Sequence, residues 1–336
     1  MTTIDRMTAA TLPEARGPLS TAVVDTLTGD RRDDFDLDAA LGADPFGEDL
    51  QLALHVCYEL HYQGFAGVDD GWEWDQHLLG FRATLERAFL DGIRMAVPGG
   101  DDVATLLDEL LVEPVEGEDV SHFLRDEGEW WQVEEYFAHR SIYHLKEADP
   151  HAWVIPRLRG RAKAALVAVE FDEFGGGRAA QAHAKLFADL LTGAGLSPGY
   201  LAYLDHVPAH TLATVNMMSL FGLHRGLRGA LVGHFASTEI TTAPSARRMD
   251  EALRRLGGAA ECRYFYTEHI EADAVHEQVM RHDVIGDLLE REPELAEDIV
   301  LGIQATTLLE NRLTEHLLGT WSAGESSLLR PLHPLP

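Results

Sequence analysis

The stretch TLATVNMMSLFGLHRGLRGALVGHFASTEI, residues 211–240, decides the fold. It is long and largely apolar, which favours a helical segment at the centre of a bundle with other helices packed around it. Alternating patterns typical of β-strands are almost absent from the rest of the chain. The sequence therefore predicts an all-α protein, a bundle of about seven or more helices, and metal sites in such bundles are built from inward-facing side chains.

Segments with apolar residues at helical intervals lie on both sides of this central stretch. Several of them end at glycine or just before proline, which are common residues at helix ends. The segments are residues 48–65, 80–97, 101–111, 130–148, 157–174, 179–195, 246–257, 266–280 and 297–321.

The first 43 residues are polar and include the charge run DRRDDFD at residues 30–36. A segment of this composition buries little apolar surface. Residues 1–43 are therefore predicted to form a flexible arm or a loosely docked segment. They also lack the apolar run of a secretory signal.

The composition excludes several classes of function. The chain is 46% hydrophobic, so it is globular, and 56 acidic against 27 basic residues give a formal charge of −29, which argues against a nucleic-acid partner. No stretch approaches ~18 uninterrupted apolar residues, so no membrane-spanning helix is expected. Cys57 and Cys262 are the only cysteines. They form neither a disulfide framework nor a thiolate metal site, and a cytoplasmic location is expected.

The segment YTEHIEADAVHEQVM, residues 266–280, places His269, Asp273 and His276 on one helix face. At ~100° per residue, their offsets of zero, four and seven residues fall within roughly 60° of arc. Two imidazoles and a carboxylate in one direction are suited to binding a metal ion. The alternative is an ordinary polar, solvated face.

Other metal ligands are expected from facing helices, and they should include carboxylates. The segment DEFGGGRAAQAH offers Glu173 and His183, and Glu239 ends the most apolar stretch, where a buried carboxylate needs a partner or a metal. Glu147 is ambiguous from its surroundings alone. A solvated helix end is the alternative for each of the three glutamates, and a core position is the alternative for His183.

Further acidic–histidine pairs occur at Asp119 with His122 and at Glu135 with His139. We interpret both as ordinary helix pairs. The sequence contains no Glu-x-x-His, no His-Glu-x-x-His and no glycine-rich phosphate loop, so ferritin-type iron sites, zinc proteases and nucleotide binding are disfavoured.

Four segments resemble the haem-oxygenase-like diiron oxidases, often described as iron-containing redox enzymes. The resemblance covers roughly residues 45–325 and implies an all-α, haem-oxygenase-like bundle of about seven core helices. The segments that carry it are RSIYHLKEADPHAWVIPRLRGRAKAAL, EFDEFGGGRAAQAHAKLF, VNMMSLFGLHRGLRGALVGHFASTE and YTEHIEADAVHEQ.

The metal-binding pattern of that family is Glu, then Glu-x9-His, then Glu, then His-x3-Asp/Glu-x2-His. The resemblance implies two Fe(II) ions as cofactors and O2 as co-substrate, without haem. Transferred position by position, it implies metal ligands at Glu147, Glu173, His183, Glu239, His269, Asp273 and His276.

The resemblance implies an Fe(II)- and O2-dependent oxidoreductase, but family members differ in their reactions. The favoured interpretation is oxygenation, such as N-oxygenation, of a small amino-acid-like or amine substrate in specialised metabolism. Oxidative C–C cleavage or decarboxylation of a fatty or amino acid is the alternative, and a non-catalytic iron-binding protein is a third class. An external electron donor is a further expected partner.

The substrate pocket is expected beside the irons, between the central helices. Arg225 and Arg228 are candidates for holding a substrate carboxylate, with His234 nearby. Salt bridges between helices are the alternative role for the two arginines.

The resemblance also divides the chain. Residues 44–130 are predicted to form an added helical layer, residues 131–325 the diiron core, and residues 326–336 a C-terminal tail. Tryptophans of the layer are expected to pack either onto the bundle or onto a second subunit, so a homodimer is among the expectations.

Overall fold

The computed structural model describes residues 9–29, 35–112, 117 and 119–333, and for residues 271–274 only the backbone. Within these residues the secondary structure is helical and contains no strand, so the all-α prediction is confirmed. The α-helices are α1 (Pro18–Leu27), α2 (Leu37–Leu41), α3 (Glu48–Glu59), α4 (Gln76–Ala96), α5 (Val103–Leu110), α6 (Val120–Asp126), α7 (Trp130–His144), α8 (Asp149–Ala152), α9 (Gly160–Glu173), α10 (His183–Gly193), α11 (Ala209–Leu223), α12 (Arg228–Leu256), α13 (Ala260–Gln278), α14 (Asp287–Arg291) and α15 (Ala296–Ser322).

Seven long helices form the bundle in the C-terminal two thirds of the chain. Between Trp130 and Ser322, the helices of eleven residues or more are α7, α9, α10, α11, α12, α13 and α15. This number agrees with the predicted core of about seven helices. A π-helix at Val279–Gly286 continues α13 without a break.

The central stretch forms two helices instead of one. The chain breaks at His224, a short 3₁₀ turn follows at Arg225–Leu227, and α12 then runs for 29 residues through Pro244 to Leu256. Nearly every residue of α11 is buried, as its apolar sequence predicts.

The N-terminal helices cover one side of the bundle. The carboxylate of Asp49 in α3 accepts hydrogen bonds from the backbone N–H groups of Leu19 (2.9 Å) and Ser20 (2.7 Å) at the start of α1. Arg16 pairs with Glu48 at 2.7 Å. The predicted arm is thus a docked helix over Pro18–Leu27, whereas residues 1–8 and 30–34 lie outside the described residues.

In the part of the chain that the structure describes, no helix has both the length and the apolar character needed to cross a membrane. Cys57 and Cys262 are both buried and free.

Candidate metal centre

Glu147 lies in the turn between α7 and α8, and the next residue has an unusual backbone conformation. Ala148 is fully buried and adopts a φ of 74°, in the left-handed region that non-glycine residues rarely occupy. Such a conformation costs free energy and persists only where the surroundings impose it, often at functional sites. Glu147 Oε1 lies 2.7 Å from His144 Nδ1, whereas Oε2 is buried and has no hydrogen-bond partner among the described residues.

The glycine run brings Glu173 and His183 together. Glu173 ends α9 and His183 begins α10, and Gly175, Gly176 and Gly177 between them all have positive φ. A Cβ on Gly175 would stand 2.4 Å from the backbone nitrogen of Ala182, so only glycine fits this reversal. His183 Nδ1 consequently lies 2.8 Å from Glu173 Oε2, and both side chains are buried.

The long helices α12 and α13 supply the other candidate ligands. Glu239 of α12 and His276 of α13 are buried, with His276 Nδ1 3.0 Å from Glu239 Oε2 and 3.6 Å from Glu173 Oε1. The second ring nitrogen, Nε2, lies 3.3 Å from the carboxylate of Asp172. A carboxylate on the outer nitrogen is the partner that orients many metal-binding histidines.

His269, two turns before His276 on α13, is oriented in a similar way. It donates its Nδ1–H to the carbonyl of Phe265 at 2.8 Å, which leaves Nε2 as the atom for a metal. Nε2 lies 3.7 Å from Glu147 Oε1, and the rings of His183 and His269 have centroids 4.4 Å apart.

These residues form two adjoining buried clusters of potential metal ligands. In each cluster the ligand atoms lie within 4.8 Å of one another. Because Glu173 of one cluster is in contact with His183 of the other, the two clusters are joined. The first cluster is Glu147, His183 and His269, and the second is Glu173, Glu239 and His276.

The sequence-predicted ligands therefore come together, with one position left undescribed. Six of the seven predicted residues belong to the two clusters. The side chain of Asp273, between the two histidines of α13, lies outside the described residues. Two neighbours were not predicted, His144 and Glu170, although each lies three residues before a predicted glutamate.

The electrostatics of the clusters indicate a need for positive charge. Burial lowers the pKa of His276, but its hydrogen bond to Glu239 and the charges of Glu239 and Glu173 raise it to about 9. Burial raises the pKa of Glu239, and nearby Glu173 adds to this effect. Glu170 is buried with neither oxygen hydrogen-bonded among the described residues, and burial together with Glu173 and Glu239 raises its pKa to about 9.

The donor set fits iron. Imidazole nitrogen together with carboxylate oxygen suits iron and manganese. Structural zinc sites usually contain cysteine thiolates, and these clusters contain none. Buried like charges are costly unless a cation compensates them. The unpartnered Glu147 Oε2 is an atom that such a cation would satisfy.

The two other acidic–histidine pairs have ordinary structural roles. His122 Nδ1 lies 2.9 Å from Asp119 in the first turn of α6. Glu135 accepts hydrogen bonds from Trp321 and Ser327, and His139 contacts Thr211 and Ser327. Among the described residues, neither pair joins a cluster of three metal ligands.

Two adjoining cavities lead to the first cluster. The outer one measures about 570 Å³, within the range of small-molecule sites, and the inner one about 170 Å³. The inner cavity is lined by His144 and His269. The two cavities share the lining residues Tyr136, Arg140, Thr241, Ser245, Thr306 and Glu310.

Of the three residues predicted to bind substrate, one lines a cavity and two do not. His234 is buried and lines the inner cavity. Arg225 is exposed, Arg228 pairs with Glu292, and neither lines either cavity. The arginine that lines both cavities is Arg140, which sequence reasoning missed.

We expect the affinity for Fe(II) to increase with pH between 6.5 and 8.5. His276 is protonated below a pKa of about 9 and must lose its proton to bind a metal, so the proton competes less as the pH rises. Displacement of one proton changes the apparent affinity by up to about tenfold per pH unit. Anaerobic Fe(II) titrations at several pH values would measure this slope. The increase of Fe(II) affinity per pH unit should be smaller in His276→Gln than in the wild type. An equal increase in the variant would contradict the prediction that His276 loses a proton to bind the metal.

The fold and the site define a class of protein: an all-α bundle that contains joined histidine–carboxylate clusters. Comparison with known proteins agrees with this class. The family described as iron-containing redox enzymes matches residues 134–311. The chain therefore belongs to this family.

A nitrosourea synthase from Streptomyces achromogenes subsp. streptozoticus is one relative. It is 28% identical over 166 residues, which are 49% of this chain and 35% of the relative. The similarity thus covers about a third of that protein's length.

Proposed function

We propose that the protein is a non-haem diiron enzyme that uses O2 to oxygenate a nitrogen of a small amine or amino-acid-like substrate. The observation that carries this proposal is the pair of joined clusters, because His269 of the first cluster lines the inner of two adjoining cavities. The name of the related nitrosourea synthase gives independent support, because a nitrosourea contains an oxidised nitrogen.

Each cluster would hold one iron. Glu147, His183 and His269 would bind one ion, and Glu173, Glu239 and His276 the other, with Asp273 as a further ligand from its position on α13. Bound ferrous iron would supply the electrons and the Lewis acidity that activate O2. The carboxylate-rich clusters disfavour haem, because haem iron in proteins is held by histidine, cysteine, methionine or tyrosine side chains.

The protein's own residues would orient the ligands and exclude water. Phe265 and Asp172 hold the outer nitrogens of His269 and His276, so each ring presents its other nitrogen to the centre. Conversion of an amine N–H to N–OH by O2 with release of water consumes two electrons and two protons. We therefore propose an external electron donor as a partner.

The cavities favour this proposal over the two alternatives. A long fatty acid needs a continuous apolar tunnel, but the shared part of the cavities is lined by charged and hydroxyl groups, among them Arg140, Glu310 and Thr306. An iron-binding protein without turnover needs no substrate cavity next to its metal.

A substrate-dependent oxygen assay tests the proposed function. The protein would be loaded anaerobically with Fe(II) and mixed with O2 and single members of a panel of amines, amino acids and fatty acids. We expect at least one nitrogen compound to accelerate O2 consumption and to gain oxygen, measured by an oxygen electrode and mass spectrometry. His269→Ala should lose the acceleration. Two bound irons without acceleration by any nitrogen compound would contradict the proposal.

A further inference from the structure

A buried ion pair joins the N-terminal helix α3 to the turn that carries Glu147. Lys146 Nζ lies 2.7 Å from Glu59 Oε2, and the two side chains are 1% and 0% exposed. Glu59 is the last residue of α3 and lies outside the family-matched residues 134–311. Lys146 directly precedes Glu147, a candidate ligand of the first cluster. The N-terminal helices therefore contact, through this pair, the backbone next to a candidate metal ligand.

Both members of the ion pair have further partners that fix their positions. The other oxygen of Glu59, Oε1, accepts a hydrogen bond from the Tyr200 hydroxyl at 2.5 Å. The Lys146 ammonium lies 4.2 Å from the centre of the Tyr62 ring, a distance typical of cation–π contacts. The Tyr62 hydroxyl in turn lies 3.0 Å from Ser219 Oγ of α11. Because a buried charge is costly without its partner, this network holds the lysine side chain in one position.

The turn that follows Lys146 is held in a conformation that its sequence disfavours. Ala148 has a φ of 74°, where its Cβ is unfavourably close to the backbone. On the far side of the turn, the Ala148 carbonyl accepts hydrogen bonds from the N–H groups of His151 (2.9 Å) and Ala152 (3.0 Å). On the near side, the Lys146 side chain ties the turn to α3. Glu147 lies between these two anchors, so the anchors set the direction of its carboxylate.

We propose that the ion pair between Glu59 and Lys146 positions Glu147 for the iron of the first cluster. The pair holds the turn at Ala148 in its left-handed conformation, and the turn directs the Glu147 carboxylate. Neither Glu59 nor Lys146 belongs to either cluster of candidate ligands among the described residues, so both act through Glu147. The second cluster shares no residue with this turn. This inference rests on the proposed function, because it concerns an iron that the function requires.

Iron affinity measured one cluster at a time tests the proposal. Glu239→Ala leaves only the first cluster complete, and His269→Ala leaves only the second. Anaerobic calorimetric titrations with Fe(II) would compare each of these proteins with and without Lys146→Met. We expect Lys146→Met to weaken binding of the first iron about tenfold or more, the usual effect of losing a group that orients a ligand. Binding of the second iron should be unchanged.

Ala148→Gly distinguishes positioning of the turn from general support of the fold. Glycine adopts a positive φ without steric cost, so a turn with glycine needs less restraint from the ion pair. The loss of first-iron affinity caused by Lys146→Met should therefore be several-fold smaller when residue 148 is glycine. A lysine that only stabilised the fold would cause the same loss with either residue at that position.

Two further variants keep the test independent of folding. Tyr200→Phe removes one hydrogen bond to Glu59 at nearly constant volume, and it should weaken binding of the first iron by a smaller factor, about threefold. Glu59→Met combined with Lys146→Met replaces the buried pair by apolar side chains, which often restores stability. The urea midpoint of unfolding of this double variant should recover towards that of the wild type, while its affinity for the first iron should stay low.

Lys185→Met is the matched control. Lys185 lies two residues after the candidate ligand His183 of the first cluster, but its ion pair with Asp189 is exposed and lies within α10. The affinity for either iron should therefore be the same as without this substitution.

The outcomes separate this inference from the proposed function. Equal weakening of both irons by Lys146→Met, a loss that does not depend on residue 148, or recovery of first-iron affinity in the stable double variant would each overturn the inference. A wild type that binds two irons and oxygenates an amine, with a first-iron affinity that Lys146→Met does not change, would sustain the function and refute the positioning role. Selective weakening of the first iron in a protein that oxygenates no nitrogen compound would sustain the positioning role and contradict the proposed reaction.

Discussion

Glu173→Ala should eliminate both iron ions, whereas His269→Ala and Glu239→Ala should each eliminate one. Glu173 belongs to the second cluster, and its other oxygen lies 2.8 Å from His183 of the first. A carboxylate in that position can hold both ions, whereas His269 and Glu239 each belong to one cluster. Iron bound per chain, measured by elemental analysis after anaerobic loading and desalting, should be close to two in the wild type, near one in the single-cluster variants and near zero in Glu173→Ala.

Glu268→Gln is the matched control for this series, because it removes a carboxylate next to His269 that belongs to neither cluster. It should bind as much iron as the wild type. Circular dichroism would establish that each variant remains helical. Retention of one full equivalent of iron by folded Glu173→Ala would contradict a shared carboxylate and favour two independent sites.

The site was predictable from sequence where its determinants are local. Helical periodicity alone places His269 and His276 on one face of α13, and both side chains are buried there. The contact between Glu173 and His183 depends on three glycines with positive φ, and the sequence showed only that glycines were present. Glu147 was ambiguous without the family resemblance, and for Glu239 a surface helix end remained the alternative, because contacts between helices are not encoded in the spacing of one helix.

The arginines predicted to bind substrate show why sequence proximity to a site is weak evidence for lining its cavities. Arg225 and Arg228 lie close in sequence to the central helix, but the break at His224 places Arg225 on the surface. Arg140 is distant in sequence from the apolar stretch, and the packing of α7 against α10 and α11, together with its ion pair to Glu310 of α15, brings it to the cavities. The rotation of a helix about its axis is set by tertiary packing, which a single-helix pattern does not contain.

The continuation of α12 through Pro244 was also missed, since proline usually ends a helix. Proline removes one N–H donor from the helix and leaves a carbonyl in the preceding turn without its usual partner. Hydroxyls of the same region bond to other carbonyls of the helix, because Thr241, Thr242 and Ser245 donate to the carbonyls of residues 237, 238 and 242. Such side-chain bonds to the backbone are compatible with a bent helix.

Gly302→Ala should destabilise the fold more than any surface substitution, by ~3 kcal/mol or more in the free energy of unfolding. A Cβ at Gly302 of α15 would stand 2.0 Å from the carbonyl oxygen of Ala230 in α12. Across the same contact, a Cβ at Gly233 would stand 2.1 Å from the carbonyl oxygen of Ile299. Because the obstructing atoms are backbone, the two longest helices must separate to accept a methyl group.

Gly319→Ala supplies the matched control on α15, because among the described residues its added Cβ would have no atom within 4 Å apart from its chain neighbours and the backbone of its own helix. There the higher helix propensity of alanine should leave stability unchanged or increase it by up to ~1 kcal/mol. Urea denaturation followed by circular dichroism compares the two variants. Separation of the helices should also disturb the bond between His234 and Thr306, since they adjoin Gly233 and Gly302. Equal stability of the two alanine variants would refute the close backbone contact between α12 and α15.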